Sequence, residues 1–209
     1  MDKNIVITVS RMYGSGGLTI AKMLSERLNI PYYDKDLIKM ASDESGINEA
    51  IFANADEKAK VSLISKLVKD VYNNDDEILP PSSKEYTSEK NLFNIQAGII
   101  KKLADTESCI IIGRCAEYVL KDYDNVLSVF IHAPYEYCLE KAAEVKNLPF
   151  KGLEDFVSKT NKQKEEYHYK FTGSNWTDAR NYDLCLDSSK LGFERCVDEI
   201  VAYMDVRFK

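Results

Sequence analysis

The chain has 209 residues, enough for one ordinary α/β domain with a substantial core. Hydrophobic residues make up 44% and charged residues 30%, the balance of a folded globular protein rather than a disordered or fibrous one. A net charge of −6 argues against a nucleic-acid backbone as the main partner, though a small basic cleft is compatible with it because local charge governs ligand binding.

Taken in chain order, residues 4–9 (NIVITV) are short, β-branched and apolar, the pattern of a strand buried on both faces. Residues 10–17 (SRMYGSGG) form a turn, and residues 18–28 place Ile20, Ala21, Leu24 and Leu28 on one helical face. Asn29 and Pro31 end that helix. Residues 30–33 form a second short strand, and Asp34 is expected to cap a helix over 35–42. Gly46 breaks it, and a further helix is expected from 48 to about 71. Residues 73–88, rich in Asn, Asp, Pro and Ser, read as a loop.

The next helix covers 89–105, followed by a third strand at 109–112 (CIII) closed by Gly113 and a fourth at 126–131. Pro134 opens a helix that runs to about 146. Another helix is expected over 152–169, then a loop over 172–181 holding Trp176, a fifth strand at 182–186 and a closing helix over 191–208. Five short buried strands alternating with helices predict a single α/β domain over 1–209, with an open parallel sheet flanked by helices on both faces. Ligands of such sheets sit beyond the carboxyl ends of the strands. Those ends carry residues 10–17, Asp34, the pair Gly113-Arg114, and His132.

No apolar run approaches the roughly 20 residues of a membrane helix, and the N-terminal apolar run is too short for a signal peptide, so no membrane role and a cytoplasmic location are expected. The five cysteines contain no CxxC pair, so neither a zinc site nor a disulfide framework is indicated, and reduced thiols fit the same location.

The turn at 10–17 is where chemistry is expected. A phosphate cradle needs inward-pointing backbone N–H groups followed by a helix N-terminus. Gly14, Gly16 and Gly17 let the backbone curl, Ser15 adds a hydroxyl, Leu18 opens the helix, and Thr19 in its first turn is placed to reach a phosphate oxygen or a magnesium ion. The segment departs from a regular Walker A pattern, which ends in Gly-Lys-Ser/Thr: Gly17 stands where the lysine belongs. Arg11 is the preferred substitute cation. Arg114, just past a buried strand at the ligand edge, offers a planar fork matched to phosphate, with Glu117 as the carboxylate that would otherwise hold it.

The segments SRMYGSGGLTIAKML, IPYYDKDLI, IIIGRCAEYVL, VFIHAPYEY, FTGSNWTD and NYDLCLDSS, in this order, resemble those of the cytidylate kinase-like proteins. The resemblance implies a P-loop fold of the nucleoside monophosphate kinase type, ATP and magnesium as cofactors, and phosphoryl transfer to a nucleoside monophosphate, CMP first among them. It implies that residues 14–19 hold the donor phosphates with Thr19 at the metal, that Arg114 grips the acceptor phosphate, and that Asp34 follows the second strand in the acceptor-binding region, whose helical part covers about 35–88. It also implies a helical lid over about 159–181. That segment holds Lys159, Lys162, Lys164 and Lys170 but one arginine, Arg180; Lys162, Lys164 and Arg180 are the expected charges on the transferring group, with Arg11 and Arg114.

Two other readings stand beside this one: a catalytically impaired protein that binds nucleotide or phosphate, and a kinase for another small acceptor. In every case the expected partner is a small phosphorylated ligand; pairing of the long helices with a second copy is open.

Overall fold

The computed structural model describes residues 4–57, 78–146 and 149–208. Strand β1 (Val6–Arg11) is followed by α1 (Gly17–Leu28), β2 (Tyr32–Tyr33), α2 (Asp36–Ser45) and α3 (Glu49–Glu57). After α4 (Glu89–Thr106) come β3 (Cys109–Ile112), the short α5 (Ala116–Val119), β4 (Val126–His132), α6 (Tyr135–Val145) and α7 (Phe150–Thr172). A 3-10 turn at Ala179–Asn181 leads to β5 (Leu184–Asp187), α8 (Ser188–Leu191) and α9 (Phe193–Phe208). The expected helix over 58–71 and the start of the loop at 73 lie outside the described residues. No helix among the described residues is long and apolar enough to cross a membrane.

The five strands form one parallel sheet in the order β2-β3-β1-β4-β5, with helices on both faces, as expected. Alternation along the strands divides the core in two. Val6, Cys109 and Ile111 face a cluster built with Leu37, Ala41, Phe52, Leu92 and Ile100 from α2, α3 and α4. Ile7, Val9, Ile110, Ile112, Leu127 and Ile131 face the opposite way, onto Ile20, Ala21 and Leu24 of α1 and Val197 and Ile200 of α9. Strand β1 is therefore sandwiched on both faces and paired on both edges, and everything at its carboxyl end inherits that rigidity.

The structure corrects the expected boundaries where tertiary pairing takes over. Strand β1 runs to Arg11 rather than stopping at residue 9, because Ser10 and Arg11 continue the ladder opposite Phe130 and Ile131 of β4. Asp34 does not cap α2: Lys35 occupies the N-cap, no side chain bonds there, and Asp34 turns to Arg11 instead. The charged helix expected over 152–169 is the continuous 23-residue α7. The closing helix is split into α8 and α9 at Gly192, whose φ of 75° breaks the turn.

Ile7, fully buried at the centre of the sheet, reports on this arrangement. Ile7→Ala is expected to cost about 2–5 kcal/mol, read as a lower chemical-denaturation midpoint with an unchanged slope.

Candidate functional site

The loop after β1 is shaped from within. Ser15 is buried, and its hydroxyl lies 2.9 Å from the Met12 carbonyl oxygen and 3.0 Å from that of Ile131. The Ser15 carbonyl accepts a bond from Ser188 Oγ at 2.7 Å. This hydroxyl, expected to face a phosphate, is directed into the protein and holds the loop's curvature. The donors offered outward are backbone ones. Gly16, with φ of 78°, caps α1, and the N–H groups of Gly17, Leu18 and Thr19 in the first helical turn meet no acceptor among the described residues. Leu18 and Thr19 are exposed, so this helix terminus is open to an anion.

Arg11 explains Gly17. In the pattern GxxxxGK[ST], Arg11 stands at the first glycine and Gly17 at the lysine, so the two residue types are exchanged. The exchange is spatial as well. A Cβ on Gly17 would lie 2.4 Å from Arg11 Cβ and 2.8 Å from its Cγ, so no side chain fits at 17 while an arginine stem occupies 11. The guanidinium then passes under the third strand's end, where a Cβ on Gly113 would meet Arg11 Nη1 at 2.3 Å, and reaches Asp34 Oδ1 at 3.5 Å. The expected substitute cation thus fills the base of the lysine's place, but its charge is delivered on the side of Asp34 and Gly113.

Arg114 sits within a strained turn. Gly113, Arg114 and Cys115 adopt φ values of 72°, 61° and 53° in succession. Two of these carry side chains, at a cost of roughly 1–2 kcal/mol each. Strain of this kind clusters at functional sites. The turn is held by Gly113 N donating to Val9 O at 3.0 Å and Val119 N donating to Cys115 O at 2.9 Å. Arg11, Arg114, Asp34 and Lys164 line one cavity of about 190 Å³, closed by Ser10, Tyr167, His168 and Trp176. Three cations thus face one carboxylate. Burial lowers the pKa of both guanidinium groups. Lys164 is pushed down to about 7, first by burial and next by Arg11.

Lys164 reaches the cavity because α7 lies against the loop. Asn161 Oδ1 accepts from Tyr13 N at 2.7 Å, Lys164 Nζ donates to the Arg11 carbonyl at 3.2 Å, and the Tyr13 ring meets Phe156 edge-on at 5.1 Å. The other expected lid charges sit elsewhere. Lys162, two residues away on the helix, is 74% exposed and pairs with Glu166 at 3.9 Å. Arg180 is 89% exposed and pairs with Asp178 at 2.5 Å, beside a separate cavity of about 440 Å³. Lys170 pairs with Glu89 of α4. His132 ends β4 with its ring 6.2 Å from that of Phe130.

A buried chain of polar groups supports the site and was not legible beforehand. Ser10 Oγ donates to Glu117 Oε2 at 3.1 Å, and His168 Nε2 lies 3.0 Å from Glu117 Oε1. His168 Nδ1 is 3.1 Å from the Ser174 carbonyl. Glu117 is therefore committed to β1 and α7 rather than to Arg114. These residues are more than 100 positions apart in part, and no local spacing announces them.

Comparison with known proteins gives a family and a fold. The profile of the cytidylate kinase-like family matches residues 6–190. The chain belongs to the cytidylate kinase-like family. It is 24% identical over 207 residues to a cytidylate kinase of Sulfurisphaera tokodaii, covering 96% of each sequence. Among solved structures it is similar to an uncharacterized protein from Eubacterium ventriosum, with a TM-score of 0.70 and 28% identity over 98% of this chain and all of that one. A shikimate kinase from Bacteroides thetaiotaomicron shares the fold, with a TM-score of 0.52 at 11% identity over 96% of this chain and 98% of that one.

The Arg11–Gly17 exchange makes a direct prediction. Gly17→Lys alone is expected to lose about 1–3 kcal/mol through overpacking on Arg11. The same change in an Arg11→Gly background is expected to cost less, and a double-mutant cycle measured by denaturation reads the coupling.

Proposed function

We propose that the chain is an ATP-dependent phosphotransferase acting on a nucleoside monophosphate, with CMP the first candidate. The observation that carries this reading is that an open helix N-terminus and a cavity lined by Arg11, Arg114, Lys164 and Asp34 both lie at the carboxyl edge of the sheet, with the Arg11 stem against Gly17 between them. Residues 14–19 would hold the donor phosphates through the open backbone N–H groups of Gly17, Leu18 and Thr19, and Thr19, exposed in the first turn, would hold magnesium. A bound magnesium ion neutralises charge on the phosphates.

The remaining work belongs to the chain. Arg114 presents a fork to the acceptor phosphate. Arg11, steadied by Asp34, adds charge from beneath, and Asp34 borders the space of the acceptor. Catalysis in this reading comes from positioning and charge neutralisation, with no covalent intermediate. Residues 35–88 would form the acceptor region and 159–181 the lid. Lys162 and Arg180, which lie outside the cavity, would contribute only when that segment closes.

Coupled-enzyme assays with ATP and each nucleoside monophosphate are expected to show turnover, fastest with CMP. Absence of turnover with all of them, from folded protein, overturns the reading. Arg114→Lys is expected to lower kcat/KM on the order of 100-fold, because a point charge does not reproduce a bidentate contact.

Gly17 in the lysine position favours one second reading, a protein that binds nucleotide without turning it over. Calorimetry decides between them: tight nucleotide binding with no product supports the second.

A further inference from the structure

This inference rests on the phosphoryl-transfer reading of the same site and concerns the charge missing at Gly17. Arg11 is bound to Asp34. Lys164 differs from it. Its Nζ donates to one neutral acceptor, the Arg11 carbonyl at 3.2 Å, and lies over the rings of Tyr13 at 5.7 Å and Trp176 at 5.8 Å. No carboxylate among the described residues forms an ion pair with it. An ammonium has three donors, so two remain for whatever enters the cavity that Lys164 lines. Asn161, one helical turn earlier, anchors this part of α7 to the loop through Tyr13 N.

We propose that Lys164 supplies the cation that Gly17 cannot, contacting the phosphoryl group held between the loop and the cavity, and that binding of a phosphate dianion there draws a proton from solvent onto its amine.

The linkage follows from the surroundings. Lys164 is faced by Arg11 from β1, Asp34 beyond β2 and Cys138 from α6, and it shares the cavity with Arg114, Tyr167 and His168. Burial and Arg11 bring its ammonium down to about 7, against the smaller pull of Asp34 and Cys138. The Cys138 thiol is itself pushed up to about 11 by burial, so it stays neutral through this range. Without ligand the amine is largely unprotonated at pH 8. A dianion within contact distance adds an opposite charge and restores the ammonium.

The test is calorimetry of a non-hydrolysable ATP analogue with magnesium at pH 8, in buffers of different ionisation enthalpy. The wild-type protein is expected to take up roughly 0.9 proton per ligand, from a group titrating near 7. Lys164→Arg, permanently charged, is expected to bind with no uptake. Lys164→Met is expected to bind at least tenfold more weakly, also without uptake. In turnover, kcat/KM is expected to fall as pH rises above about 7 in the wild type and to stay level in Lys164→Arg, since the protonated amine is the active form.

Uptake or a falling limb that persists in Lys164→Arg overturns the inference. Turnover untouched by Lys164→Met overturns it while leaving the phosphotransferase reading intact. Proton-linked binding with no turnover of any acceptor overturns that reading and upholds the Lys164 site. Failure of the wild type to bind the analogue overturns both.

Discussion

Arg11 sets the terms for its surroundings. Its backbone is the last rung of the ladder between β1 and β4, so the position of its Cα is decided by the centre of the sheet. From there its stem forbids any side chain at Gly17, its guanidinium lies against Gly113, and its charge is met by Asp34. Its carbonyl receives Lys164. A single residue thus links the loop, the third strand's end, the second strand's end and α7. Moving the cation from the helix start to the strand end also leaves the first turn of α1 unobstructed by a side chain at 17, so the donors that Gly17, Leu18 and Thr19 turn outward there are backbone ones.

The charge balance around that residue is uneven, and the imbalance is what makes the cavity chemically pointed. Arg114 is held there on three successive left-handed residues, a conformation that only strong local bonding sustains. Burial lowers the pKa of Arg11, Arg114 and Lys164, Arg114 adds to the shift of Arg11 and Arg11 to that of Lys164, and Asp34 is the one carboxylate in the lining among the described residues. Gathering buried like charges in this way costs folding stability, the familiar opposition between folding and function.

Behind the cavity, Ser10, Glu117 and His168 join β1, α5 and α7 through buried hydrogen bonds. This chain, with the packing of Tyr13 on Phe156, keeps α7 against the loop as one continuous helix. It also separates charges that lie close together in sequence. Lys164 faces inward, while Lys162 on the neighbouring helical face stays in solvent. A block of lysines in a lid-like segment is therefore not a block of ligands.

The amino-acid sequence by itself determined the alternation of strands and helices, because apolar runs of this length have few other ways to be buried, and it determined a tight glycine-rich turn between β1 and α1, because glycines there let the backbone curl without Cβ clashes. It also carried the family resemblance. What it did not determine was direction. Asp34 read as a helix cap because short carboxylates favour that place locally, yet an arginine 23 residues away outbids the backbone. Ser15 read as a ligand donor, yet the β4 carbonyl took it. Which lysine of α7 turns inward, and why Gly17 has no side chain, depended on residues brought together from β1, α7 and the strand ends. Those contacts arise from long-range packing, which no local spacing encodes, so only the tertiary structure decided them.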